Sequence, residues 1–153
     1  MKKFATICFA ILVLSATGCA HDNAPIDAKQ AREVSDKVAQ AIIDDRTKDL
    51  YQLLEKAFRD AVSQEDVKPM LAQIYSVYGK PLEVEFKSAE VGFKVYDNGV
   101  RKPMRKFWYA VRTSTQPKGT YYFFTEIVPD GDSPRCSSFS IVSFPLGIPD
   151  SLK

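Results

Sequence analysis

Apolar positions recur at helical spacing through the first half of the chain and alternate with polar ones through the second. In "AKQAREVSDKVAQAIIDDR", Ala31, Val34, Val38, Ala41 and Ile42 form one stripe on an otherwise charged cylinder, which predicts an amphipathic helix. After "DDRTKD", Leu50, Leu53, Leu54, Ala57, Phe58, Ala61 and Val62 keep that spacing and predict a second helix running through to Val62. Ser63 with Asp66 approximates a capping box, and Val67, Met70, Leu71, Ile74 and Val77 give a third helix its apolar face. Pro69 conflicts with that helix because it lacks a backbone donor and crowds the preceding turn, so a kink or a start near Lys68 is expected. Gly79 and Pro81 mark its end.

From Pro81 the period changes. In "LEVEFKS", Leu82, Val84 and Phe86 alternate with charged residues, the pattern of a half-buried strand. The apolar set then moves to Val91, Phe93 and Val95, a change of parity that predicts a bulge or bend between Ser88 and Gly92. "YDNGV" is a hairpin signal, and "RKFWYAVRTST", "TYYFFTEIV" and "CSSFSIVSF" supply three more strands separated by "QPKG" and "PDGDSP". The fold class expected is α+β, with N-terminal helices packed on a curved antiparallel sheet of about four strands. This element order, and the junction "MLAQIYSVYGKPLEVEFKSAEVG" in particular, resembles the cystatin-like cone of the nuclear transport factor two-like superfamily across roughly residues 30–145. Helices against the concave face of a bent sheet are expected from the bulge and the aromatic load of the strands, in agreement with this resemblance. It leaves activity open, since the fold hosts enzymes, binding modules and adaptors alike.

Ahead of the domain, Lys2 and Lys3 precede "FATICFAILVL", which has the charged and hydrophobic regions of a secretory signal and is shorter than the ~20 apolar residues that a bilayer crossing needs. The run ends in "ATGC", which resembles the lipobox of bacterial lipoproteins, with Ala16 in place of the usual Leu. The resemblance implies cleavage after Gly18 and a diacylglycerol thioether on Cys19. With Ala20 rather than Asp after the cysteine, it also implies an outer-membrane address facing the periplasm. An ordinary secreted protein cleaved after a small-residue site, with Cys19 incidental, is the alternative. The expected division is a signal at 1–18, a lipidated tether at 19–27 and one domain at 28–153. The tether "AHDNAPID" reaches no more than about 25 to 30 Å, so the domain is expected to work close to the membrane.

Removing residues 1–18 takes two of the 21 basic residues and none of the 19 acidic ones, leaving nineteen of each. A neutral domain disfavours a nucleic-acid partner. Cys8 leaves with the signal and Cys19 takes lipid, so Cys136 is the remaining thiol and reads as a small buried residue of a strand. The single histidine, His21, lies in the tether, which leaves a Ser-His-Asp or Cys-His arrangement without a base and a histidine-rich metal site without ligands. No metal and no cofactor is expected, and the scattered glycines form no phosphate loop.

Three constellations remain. Glu126, in "YYFFTEIV", is either a cavity carboxylate beside Tyr122 and Phe124 or a surface acid paired with a neighbour such as Arg112; with Asp45 it supplies the enzyme alternative. Arg101, Lys102, Arg105 and Lys106 interleave with aromatics in "RKPMRKFWYAVR", either as a patch for an anionic envelope component or as charges that protect a strand edge. Tyr109, Tyr121 and Phe123 would line a hollow cone able to take a small apolar ligand, or would fill a solid one. The favoured expectation is a non-catalytic module, held to the membrane by lipid, that binds an envelope protein or small ligand; a homodimer through the sheet face is a further reading.

Overall fold

The computed structural model describes residues 26–116 and 121–144; the signal, Cys19 and the tether before Ile26 lie outside them. Four helices precede four strands: α1 (Ala28–Ile43), α2 (Thr47–Leu53), α3 (Lys56–Ala61), α4 (Gln64–Tyr78), β1 (Pro81–Val95), β2 (Arg101–Thr113), β3 (Tyr121–Asp130) and β4 (Ser133–Ser143). The strands form one antiparallel sheet in sequence order, β1-β2-β3-β4. The α+β class expected from periodicity is the one observed. Among the described residues no helix is long and apolar enough to cross a membrane.

The stripe of α1 is buried in full, and the Asp27 carboxylate caps the helix by accepting from the amide of Gln30 at 2.7 Å. Ser35 sits inside the stripe, where its hydroxyl bonds with the Tyr109 phenol and with the Thr125 hydroxyl at 2.7 Å. A buried hydroxyl without such partners would cost about 1–3 kcal/mol, so this triad fixes how α1 lies on the sheet. Val38, Leu50, Leu54, Val67 and Leu71 from the helices join Tyr109, Val111, Phe123, Ile127 and Ile141 from the sheet in one core. Each large apolar side chain so buried contributes about 1.5–3 kcal/mol. On the opposite sheet face Trp108, Ala110, Tyr122, Val142 and Phe144 form a smaller cluster.

Three expectations are corrected. The second helix is broken: Leu54 and Glu55 are extended, Leu54 bridges Cys136 in parallel and the Glu55 amide donates to the Cys136 carbonyl at 2.8 Å, so α2 and α3 are separate. The edge of β4 competes with the helix for these backbone groups and wins. The fourth helix begins at Gln64 and runs through Pro69, so of the two outcomes expected at that proline, a kink or a start near Lys68, the late start is the one overturned. Ser63 does not cap the backbone; its hydroxyl donates to the Asp66 carboxylate at 2.7 Å.

The bulge of β1 falls between Phe86 and Ser88, just ahead of the expected interval. Directly opposed residues share a face, so the pairs Phe86–Tyr109, Ala89–Phe107 and Val91–Arg105 show that the extra residue carries the odd-numbered set onto the helix-facing side. Val91, Phe93 and Val95 nevertheless stay exposed. The β1–β2 hairpin outruns its neighbour there, since β3 pairs with β2 only from Arg105 to Val111.

Candidate functional site

The even-numbered face of that overrunning arm is the covered one. Lys94 of β1 reaches the Glu126 carboxylate at 3.0 Å, and Lys106 of β2 approaches its other oxygen at 3.5 Å. Glu55, delivered by the break between α2 and α3, accepts from Lys102 at 2.5 Å and from the Tyr96 phenol at 2.7 Å. Glu126 is only 6 % exposed and Glu55 2 %, so two carboxylates and three ammonium groups share one largely desolvated cluster. Lys94 also donates to the Ser137 carbonyl, whose residue is the extra one where β3–β4 pairing shifts from Glu126–Ser138 to Ile127–Cys136. Burial first of all, then the hydrogen bond to Glu55, drives the Tyr96 phenol far above its ordinary pKa, so it stays a donor.

This arrangement consumes its own acids. Both Glu126 oxygens face lysines and both Glu55 oxygens accept hydrogen bonds, which leaves these carboxylates committed to holding the arm against the β3–β4 end. Glu126 is therefore buried, as a cavity carboxylate would be, but among ammonium groups rather than beside an opening. Arg112, named as its surface partner, pairs instead with Glu83 at 3.3 Å.

Asp45 stands apart. It bonds the Lys80 ammonium and adopts φ 55°, closing α1 as the left-handed residue of a Schellman motif in which the Arg46 amide donates to Ala41 at 2.8 Å and its own amide to Ile42 at 3.3 Å. It shares no partner with Glu126, so the structure does not assemble the two acids into one site.

The four cations of β2 divide by strand alternation. Lys102 and Lys106 belong to the buried cluster, while Arg101 lies over the Phe93 ring at 4.9 Å and Arg105 donates to the Ile26 carbonyl at 3.0 Å, both on the other face. Of the aromatic trio, Tyr109 and Phe123 are buried in the core and half-buried Tyr121 meets Tyr78 edge-on at 5.4 Å. Burial above all raises the Tyr109 phenol, which donates to Asp36 at 2.8 Å. Beside Phe123, between α4 and β4, is a recess of about 10 Å³, no more than one water requires. Among the described residues no group of three acidic, cysteine or histidine side chains gathers as metal ligands.

No family model, curated protein or solved structure matches the chain.

Glu55, Lys94 and Tyr96 are the residues that periodicity did not single out. A glutamate at a helix position and a lysine alternating with valines both read as solvent-facing, and each is turned inward here by a contact distant in sequence.

Proposed function

We propose that the chain is a bacterial outer-membrane lipoprotein, anchored through a lipid on Cys19 and facing the periplasm, whose cystatin-like domain is a non-catalytic interaction module for an envelope partner. The anchor half of the reading rests on "ATGC" after a short apolar run. The non-catalytic half is carried by one observation: Glu126 and Glu55, the most deeply buried acids among the described residues, are each held by lysine ammonium groups. Among the large apolar residues of the described surface, Val91, Phe93 and Val95 stand exposed together, with Arg101 lying over the Phe93 ring. Such a surface suits contact rather than turnover.

The test uses the full chain expressed in a bacterium with an outer membrane. Fatty-acid labelling and membrane fractionation are expected to follow Cys19, with Cys19→Ser abolishing the label and releasing the protein. Unchanged labelling would overturn the anchor. Crosslinking in intact cells, followed by identification of what is captured, reads the partner.

A further inference from the structure

Val91, Phe93 and Val95 are 76 %, 57 % and 63 % exposed and lie on one face of β1, and Val100 in the adjoining turn is 47 % exposed. Their directly opposed neighbours on β2 are Arg105, Pro103 and Arg101, so the same face carries two guanidinium groups. Neither arginine has a carboxylate partner among the described residues: Arg101 lies over Phe93 and Arg105 holds the Ile26 carbonyl. The result is a two-stranded arm whose paired positions on this side are apolar or cationic, with exposed Asp97 in the turn at its tip, while its other side is pinned by Lys94 and Lys102 to Glu126 and Glu55. Ahead of the arm, Glu83, Glu85, Lys87 and Glu90 place charged side chains along the β1 edge.

The chain enters the described domain at this face. Arg105, opposite Val91, grips the carbonyl of Ile26, and the seven residues back to Cys19 span at most about 25 Å. We propose that the face formed by Val91, Phe93, Val95, Arg101 and Arg105 docks on the anionic phospholipid surface of the membrane that holds the anchor. Valine and phenylalanine side chains would enter the headgroup boundary, and the arginines would meet phosphates. Apolar area combined with cationic groups is what interfacial binding requires, and the short tether removes most of the entropy of finding the surface. The inference rests on the lipid anchor at Cys19 and adds that the domain lies against the bilayer instead of hanging free.

The experiment compares the native lipidated protein with Phe93→Trp, each reconstituted into vesicles of phosphatidylglycerol and phosphatidylethanolamine with brominated acyl chains. Bromine quenches tryptophan only at close approach. Native Trp108 sits in the cluster on the opposite sheet face and serves as the internal control. The emission added by Phe93→Trp is expected to fall about twofold or more in brominated vesicles, with Trp108 little affected. No quenching, with a lipidated N-terminus confirmed by mass, overturns docking and leaves the anchor intact. Added emission from the Phe93→Trp protein that is blue-shifted but unquenched assigns the face to a second copy or another protein and also overturns docking. A mass without lipid at Cys19 removes both readings together.

Discussion

The amide of Glu55 donates to the carbonyl of Cys136 across 2.8 Å, tying an interruption in the helices to the edge of β4. That bond explains why an apolar spacing written as one helix folds as two. It also sets the Glu55 carboxylate against Lys102 and Tyr96, and the Asp130 carboxylate then accepts from the Lys56 amide at 2.8 Å where α3 begins. A helix break, a strand edge and a hairpin arm thus depend on each other.

Breaking the buried pair from one side should cost more than removing both partners. Glu55→Gln is expected to lower stability by about 3 kcal/mol, because Lys102 then keeps a charge with no acid beside it. Lys102→Met in the same background should recover about 1–2 kcal/mol of that loss. Urea denaturation of the native protein, Glu55→Gln, Lys102→Met and the double variant measures the coupling; simple additivity would show that Glu55–Lys102 does not hold the arm.

Cys136 should be inert while the domain is folded. Burial above all raises its thiol from 9.0 to about 12, and the same cause, with Asp45 adding to it, raises Tyr75 from 10.0 to about 12. Both groups keep their protons in both states at neutral pH, so neither changes stability there. Above pH 9.0 the unfolded chain releases protons that the folded chain retains, so stability is expected to decline progressively from about pH 9 to about pH 12. Thiol-reagent kinetics across urea and alkaline titrations check both statements, and rapid labelling of the folded protein at pH 8 would contradict them.

Gly79 ends α4 with φ 80°, and a Cβ added there would lie 2.5 Å from the Thr115 hydroxyl oxygen and 2.9 Å from that of Ser114. Those residues clasp the helix end, Thr115 by donating to the Tyr78 carbonyl at 2.9 Å. Gly79→Ala therefore meets both a strained backbone and a clash, and a loss of about 1–3 kcal/mol is expected. Thermal unfolding reads it directly. An unchanged melting temperature would mean that the junction moves freely.

Asp45 is predicted to matter through its backbone. At φ 55° a β-branched residue is strained, so Asp45→Val should cost about 1–2 kcal/mol, whereas Asp45→Gly should change stability by less than about 1 kcal/mol. Equal losses in both variants would assign the residue's importance to its carboxylate and the Lys80 contact instead.

The chain's own periodicity determined the order of elements, the buried stripe of α1, the change from helix to strand at Gly79–Pro81 and the existence of a bulge in β1, because each is written in nearest neighbours along the backbone. Tertiary structure alone decided that Leu54 and Glu55 leave the helix, that Lys94 and Lys102 turn inward and that Val91, Phe93 and Val95 remain outside. Alternation states which side chains share a face. What covers that face depends on strand lengths and on contacts between residues dozens of positions apart, such as Glu55 with Lys102 and Arg105 with Ile26.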